Sequence, residues 1–378
     1  MLTYIVRRIV LMVPTLLGIM VVNFFIIQAA PGGPVEQMIS EMQGRAVSAT
    51  ARITGAGAGD AEVARTGGGG PGAGLTTSRN DIPSKYRGSR GMPPELIKEI
   101  EKQYGFDKPI GERFILTMKD LMVFNFGRSY YRDATVIDLI WEKLPVSLSL
   151  GVWATLLTYL ISIPLGIAKA LRDGSKFDAA TSVIILVGNA IPSYLFAVLL
   201  IVLFAGGSFW HVFPLRGLVS PDWDQLGLGM KVLDYAWHMV LPLVAMLIGG
   251  FATLTVFTKN LFIEEISKQY VITARAKGLT ERRVLYGHVF RNAMLIVIAG
   301  FPAAFLSVFF AGSMLIEIIF SLDGLGRMGY EATLNRDYPL VFGSLYMFTI
   351  IGLVMGLVRD LMFAWIDPRI HFERVEVA

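Results

Sequence analysis

Long apolar runs separated by short polar stretches dominate the chain. Six of these runs carry no charged residue. Each is long enough to cross a hydrocarbon layer of about 30 Å, which takes about 20 helical residues. The runs are residues 9–30, 148–168, 179–205, 239–258, 292–316 and 338–358. The pattern predicts an all-α membrane protein with six transmembrane helices. Kinks are expected in the spans that contain Pro164, Pro192, Pro242 and Pro302.

Composition supports a membrane location. Hydrophobic residues make up 54% of the 378 positions, charged residues only 17%, and the mean hydropathy is +0.56. The first run follows Arg7 and Arg8 directly. It is longer than the roughly 7 to 15 apolar residues of a cleavable signal peptide. Residues 1–30 are therefore predicted to be a retained first transmembrane helix.

The distribution of cations predicts the orientation, because cytoplasmic loops carry an excess of Lys and Arg. With the amino terminus inside, the short inner segments hold Lys169, Arg172, Lys176, Lys259, Lys268, Arg275, Lys277, Arg282, Arg283, Arg291, Arg359, Arg369 and Arg374. The short outer loops hold Arg216, Lys231, Arg327 and Arg336. Both termini are predicted to be cytoplasmic. The net charge of +4 is explained by insertion and gives no support for nucleic-acid binding.

The long segment 31–145 is predicted to be periplasmic and to have two parts. Residues 44–91 are rich in glycine and low in complexity, which is typical of a flexible linker. The window 69–76 has the glycine spacing of a P-loop, but Leu75 stands where the lysine is needed, so the linker interpretation is preferred. Residues 94–145 show helical spacing of apolar positions. A five-helix core is expected over 146–364, followed by a cytoplasmic tail, 365–378.

An inner loop, residues 259–291, is the candidate functional segment. Inserting its cations at mid-membrane would cost about 2.5 to 3.5 kcal/mol each, so the loop is expected in the cytoplasm. Apolar residues recur at helical spacing before and after Gly278. The pattern predicts a helix, a tight turn and a second helix. From periodicity alone, a basic hairpin lying on anionic lipid is an equal alternative.

The loop sequence YVITARAKGLTERRVLYGHVFRNAM resembles the coupling loop of permease subunits from binding-protein-dependent ABC importers, particularly the peptide and nickel group. Further segments resemble that family in the expected order, among them YGFDKPIGERF, FNFGRSY, IPSYLFAVLLI, GSMLIEIIFSLDGLG and DPRI. The resemblance covers nearly the whole chain outside the glycine-rich insertion. It is closest to the Yej-type permeases of microcin C and oligopeptide uptake.

The resemblance implies a type I ABC importer permease fold with a long periplasmic insertion after the first helix. It implies that the loop docks in a groove of a cytoplasmic ATPase subunit. The matching positions are Thr273, Ala274, Arg275, Ala276, Lys277, Gly278 and Leu279, continued by His288, Val289, Arg291, Asn292 and Ala293. The family commonly has a proline shortly after the Asn-Ala pair, where this chain has Ile296.

The same resemblance implies the partners and the absence of a cofactor in this chain. The partners would be a second homologous permease, one or two ABC ATPases that bind ATP and Mg²⁺, a periplasmic substrate-binding protein and the membrane lipid. The chain itself would form half of a pore and hydrolyse nothing. The expected substrate is a peptide, with nickel or another small solute as the alternative.

Other chemistry finds less support in the residues. Glu317, near the end of the fifth run, is either part of a substrate or proton pathway or a carboxylate that fixes the outer end of a helix, and the second interpretation is preferred. His211, His238, His288 and His371 are too scattered for a helical metal pair, and the chain has no cysteine. A proton-coupled transporter would need several buried ionisable residues, and an intramembrane hydrolase a nucleophile with its base. Neither pattern is present.

Overall fold

The computed structural model describes residues 2–29, 93–103, 107–206, 209–307 and 313–366. The linker 44–91, the window 69–76 and nearly all of the tail 365–378 lie outside the described residues. The described helices are α1 (Leu2–Ala29), α2 (Pro94–Gln103), α3 (Ile110–Met122), α4 (Val136–Leu171), α5 (Lys176–Ala190), α6 (Ser193–Phe204), α7 (Leu228–Ile266), α8 (Gln269–Ala276), α9 (Glu281–Val284), α10 (Phe290–Ala299), α11 (Phe301–Ser307), α12 (Ser313–Ile319), α13 (Leu325–Asn335) and α14 (Tyr338–Ile366). A 3₁₀ turn, Trp223–Gln225, and a π-helical turn, Leu285–Val289, complete them.

The spans agree with the prediction of six transmembrane helices. Among the described residues, five helical segments are long and apolar enough to cross a membrane, and the bent pair α5–α6 makes a sixth crossing if it counts as one span. The all-α membrane fold is therefore confirmed. Helix α4 begins at Val136, well before the predicted apolar run, and contains Pro145 as well as Pro164.

The third span is broken rather than kinked. Helices α5 and α6 meet at an angle of 92°. Ile191, between them, has extended backbone angles (φ −90°, ψ 119°), as expected of a residue that precedes proline. By contrast, Pro164 and Pro242 lie inside continuous helices. Proline alone therefore does not determine where a span breaks.

The fifth span starts earlier than predicted. A helical segment long enough to cross the membrane runs from Glu281 to Leu306, so the second helix of the inner loop continues directly into the span. The π-helical turn, Leu285–Val289, lies within it, and such turns are frequent at functional sites. The predicted end at residue 316 falls in α12, a separate short helix.

The described residues form two compact units. The first unit includes residues 140–328, and its core contains apolar side chains from α4, α6, α7 and α12, among them Leu150, Leu200, Met239 and Ile316. Helices α4 and α7 approach closely at Gly166. An added Cβ there would lie 2.7 Å from Thr258 Cβ. Small residues at such crossings let transmembrane helices pack backbone to backbone.

The second unit includes residues 14–139 and 329–346. Its centre contains aromatic rings: Phe24 lies 5.3 Å from Phe114 and 6.3 Å from Phe342 between ring centroids. The loop after α3 is bound to the start of α14. Ser129 Oγ donates to the buried Asp337 carboxylate, and the Tyr130 N–H donates to the same carboxylate at 3.2 Å. Burial raises the pKa of Asp337.

Candidate functional site

Two short helices and the turn between them form an elbow, residues 269–284, in the inner loop. Helix α8 ends in a Schellman motif: Leu279 N–H donates to Ala274 O at 3.4 Å and Gly278 N–H donates to Arg275 O at 2.9 Å. Gly278 has φ +79°, a left-handed conformation that glycine adopts without strain. Thr280 then precedes α9. The predicted order of helix, turn and helix is confirmed.

The elbow belongs to the first unit, and one of its faces packs against other helices of that unit. Val271 and Ala274 from α8 and Val284 from α9 are buried in one cluster with Phe262 of α7, and Leu279 packs against this cluster. Ile167 and Ala170 of α4 belong to the same cluster. Ala274, which the motif match groups with the docking residues, therefore faces the protein interior. Burial of this cluster ties any movement of the elbow to α4 and α7.

The outer face of the elbow is exposed and mixed in character. Thr273, Arg275, Ala276 and Lys277 are exposed there, as the docking interpretation requires. Sequence reasoning missed two apolar neighbours, Ile272 and Tyr286, which are 51% and 57% exposed. Their signal was weak, because single apolar residues beside cations also occur on solvated helices. Together the exposed residues combine positive charge with apolar area.

A bidentate ion pair bridges the elbow. Arg275 Nε donates to Glu281 Oε1 at 2.9 Å, and Arg275 Nη2 donates to Glu281 Oε2 at 3.1 Å. Glu281 was not among the predicted site residues. Glu281 lies between the two matching stretches, residues 273–279 and 288–293. Within the described residues, Lys277, Arg282 and Arg283 make no ion pair, so these cations remain available to a binding partner.

A groove of about 310 Å³ runs beside the elbow. Its apolar wall contains Leu171, Ile266 and Leu285, and its rim contains Arg275, Glu281 and Arg282. The groove therefore lies between the end of α4 and the elbow. An apolar interior with a charged rim is the usual composition of a protein interface.

A polar cluster fixes the base of the elbow. Glu265 at the end of α7 accepts from Lys268 Nζ at 2.5 Å and from Tyr270 Oη at 2.7 Å. The Asn292 side chain hydrogen-bonds with this pair. Burial and the bond to Glu265 raise the pKa of Tyr270 to about 12. Asn292, predicted as part of the motif, thus joins the start of α10 to the end of α7, while His288 and Arg291 are exposed.

A buried carboxylate, Asp178 of α5, joins three helices near the elbow through Lys169 of α4 and Lys259 of α7. Lys169 of α4 is 1% exposed, and its Nζ lies 2.9 Å from Asp178 Oδ1 of α5. It also donates to Thr181 Oγ1 and Ser182 Oγ, at 2.7 and 2.8 Å. Lys259 of α7 bonds the second oxygen of Asp178 at 2.7 Å. Lys259 Nζ also lies 2.8 Å from Asp173 Oδ1, so two carboxylates compensate the two cations, as burial requires.

Glu317 is fully buried, at 0% exposure. Oε1 accepts from Ser147 Oγ at 2.6 Å, and Oε2 accepts from the Arg327 N–H at 2.8 Å. The Leu325 N–H donates to Ser147 Oγ at 2.8 Å. The carboxylate and the hydroxyl therefore cap the amino terminus of α13, whose orphan N–H groups favour an anion. The preferred interpretation of Glu317, fixing a helix end, matches this geometry, and the carboxylate lies in the protein interior.

Metal chemistry finds no site in the described part of the chain, where no three His, Cys, Asp or Glu side chains group together as ligands. The arrangement around the elbow instead suits protein docking, with a rigid exposed turn anchored on three helices.

Comparison with known proteins identifies the family. Residues 162–372 match the family described as the binding-protein-dependent transport system inner membrane component. The chain belongs to this family. It is therefore a multi-pass permease component of an ABC importer in the inner membrane, as the resemblance implied.

Relatives match over almost their full length. The peptidoglycan transport system permease protein YejB of Agrobacterium fabrum is 58% identical over 99% of both chains. The inner membrane ABC transporter permease protein YejB of Escherichia coli O157:H7 is 54% identical over 98% of this chain and 99% of that protein. The oligopeptide transport system permease protein AppB of Bacillus subtilis is 30% identical over 98% of this chain and 100% of that protein. The predicted closeness to Yej-type permeases is confirmed.

Proposed function

We propose that this permease forms one half of a pore through which peptides enter the cell, paired with a second homologous permease. The names of similar proteins refer to peptidoglycan and oligopeptide transport, which supports a peptide cargo. Oligopeptides are the expected class, with microcin C-like peptides as the narrower member. A periplasmic binding protein would deliver them, since the family is binding-protein-dependent.

The observation that carries the coupling role is the exposed left-handed turn at Gly278 on an anchored elbow. In the proposed mechanism the elbow docks in a groove of a cytoplasmic ATPase subunit, which alone binds ATP and Mg²⁺. Thr273, Arg275, Ala276 and Lys277 contact the ATPase directly. Ala274 and Leu279 anchor the elbow on its own subunit. His288, Arg291 and Asn292 continue the loop, and Asn292 braces its base.

Closure of two ATPase subunits on ATP would move the elbow, and the buried cluster would pass that movement to α4 and α7. Lys169 and Lys259 extend the same rigid connection to α5 through Asp178. Both termini are cytoplasmic in this scheme, because the elbow must face the ATPase.

The test is peptide uptake in right-side-out vesicles that contain the permease with its co-expressed partner subunits, with the binding protein outside and ATP inside. Uptake of a radiolabelled tripeptide should require ATP on the elbow side and persist when an uncoupler collapses the proton gradient. A matched preparation whose ATPase carries an inactive ATP site should show none. Uptake that depends on the proton gradient and is unchanged when ATP is omitted would refute the proposal.

A further inference from the structure

The break between α5 and α6 brings polar groups to the surface of a span. Asn189, in the last turn of α5, is exposed, and its amide makes no hydrogen bond to other described residues. Near it the backbone is extended at Ile191, and the final carbonyl groups of a helix lack helical partners. Non-helical backbone at membrane depth is tolerated only where protein covers it or where it lines a water-filled cavity.

Helix α7 has exposed polar side chains on a neighbouring face. Gly188 of α5 packs on Ile248 of α7, where an added Cβ would lie 3.5 Å from the isoleucine side chain. Asn189 and Gly249 are the next residues along α5 and α7, so they lie at about the same depth in the membrane as the contact between Gly188 and Ile248. From Gly249 the exposed positions continue at helical spacing through Thr253 to Asn260, with the exposed apolar Val256 and Phe257 between the last two. The Thr253 hydroxyl makes no hydrogen bond to the described residues.

Lipid is an unsuitable neighbour for this face. Hydrocarbon offers an amide no hydrogen-bond partner, and polar groups inside a membrane face a bundle interior or a water-filled cavity. The side of α5 away from Asn189 is different: Ile184, about 140° around the helix, is aliphatic and 68% exposed. Ile184 is thus suited to lipid, whereas the Asn189 amide, three residues after the exposed Leu186, needs a polar partner.

We propose, on the basis of the proposed function, that Asn189 and Thr253 line the translocation path and hydrogen-bond the backbone of the passing peptide. Helix α5 after Asp178, and α7 from Met239 to Thr258, contain no charged side chain. An uncharged amide and hydroxyl pair with peptide N–H and C=O groups regardless of the side chains that the peptide carries. The path would therefore accept peptides of differing charge.

The chain has no cysteine, so a single substitution introduces the only thiol of this subunit, and labelling is read on this subunit alone. Asn189→Cys, Thr253→Cys and the control Ile184→Cys are each assembled with the partner subunits in proteoliposomes. Each is treated with membrane-impermeant sulfonatoethyl methanethiosulfonate, with and without ATP and vanadate. Because the thiolate reacts and apolar surroundings suppress it, positions 189 and 253 should react at least about tenfold faster than 184 in one of the two states. Modification at 189 should also block uptake.

Equal, slow labelling at all three positions in both states would overturn the proposal, since it would mean that the face contacts lipid or the second permease. Thr253→Cys removes only a methyl group besides exchanging oxygen for sulfur, and it provides the decision if the Asn189 variant does not assemble. Labelling is measured independently of uptake. Failure of the proposed function would appear as absent ATP-dependent uptake in the complex with the unsubstituted permease, whatever the labelling pattern.

Discussion

Arg275 donates two hydrogen bonds to the Glu281 carboxylate, at 2.9 and 3.1 Å, across the Gly278 turn. The pair links the end of α8 to the start of α9 on the exposed side of the elbow. An exposed ion pair contributes roughly 0.2 to 1 kcal/mol. Its consequence is therefore a narrower range of elbow angles, with little effect on the stability of the whole fold.

Glu281→Gln should weaken ATPase association about two- to fivefold, because the neutral amide no longer holds the guanidinium and the elbow loses part of its preorganisation. The measurement is copurification of the ATPase at graded concentrations. Expression of the permease in the membrane should not change. Reversal of the pair, Arg275→Glu with Glu281→Arg, should recover part of the loss only if the pair acts within the chain.

The matched control is Glu264→Gln. The Glu264 side chain is 72% exposed against 73% for Glu281, and it lies on the same loop. Its nearest cation, Lys268 Nζ, is 4.0 Å away, so it loses little on neutralisation. Equal weakening by both variants would show that general surface charge, and not the elbow pair, determines association.

Gly278→Ala should reduce peptide uptake and ATPase association while leaving the protein in the membrane. Nothing lies within 4 Å of an added Cβ at this position, so the cost comes from the backbone alone. A non-glycine residue with φ +79° costs about 1 to 2 kcal/mol, which favours a different turn. Gly278→Asp should uncouple more completely, because it also adds an anion to a basic surface.

Gly174→Ala separates turn strain from docking. Gly174 has φ +72° and also has open space around an added Cβ, but it lies in the turn between α4 and α5. The variant should carry a similar backbone cost with unchanged ATPase copurification. If Gly174→Ala and Gly278→Ala reduce copurification equally, the elbow has no special role.

Local features of this fold were predictable. Uncharged runs of about 20 residues identify spans because lipid penalises charge at every position. The Gly278 turn was also predictable, since a glycine between two helical patterns favours a left-handed helix end. In both cases the physical cause lies within a few residues of its effect.

Features that depend on distant contacts were not predictable. Pro164, Pro192 and Pro242 give the same local signal, yet of these three only Pro192 lies at a break between helices. Whether a helix continues past a proline depends on the neighbouring helices that can satisfy the freed backbone groups. The burial of Glu317 depends on Ser147, 170 residues earlier in the chain. Glu281 was not predicted as a site residue, because its ion pair with Arg275 forms only when the turn brings the two side chains together.

The cap formed by Glu317 predicts an effect of its glycine neighbours. An added Cβ at Gly324 would overlap the Glu317 carboxylate, so Gly324→Ala should displace it and destabilise the protein. Gly329→Ala on α13 is the control, since an added Cβ there first meets an atom at 3.9 Å. Thermal unfolding in detergent should show a lower midpoint for Gly324→Ala. Equal midpoints would mean that the carboxylate does not occupy the helix end.

Asp337 predicts a pH dependence. Burial raises its pKa above the ordinary value of 3.8, so folding favours the protonated carboxyl. This contribution to stability is present below pH 3.8 and is lost as pH rises through the raised pKa. Asp337→Asn imitates the protonated form and can still accept from the Tyr130 N–H. The unfolding midpoint of this variant should therefore increase relative to that of the unsubstituted protein as pH rises from about 4 to about 7.

Asp337→Leu is the companion variant. It removes the acceptor for Ser129 Oγ and the Tyr130 N–H, and an unsatisfied buried polar group costs about 1 to 3 kcal/mol. This variant should be less stable than Asp337→Asn at every pH. If the difference between the Asn variant and the unsubstituted protein is constant across the range, the carboxyl does not change protonation there. The bonds from Ser129 and Tyr130 would then suffice to keep it ionised despite its burial.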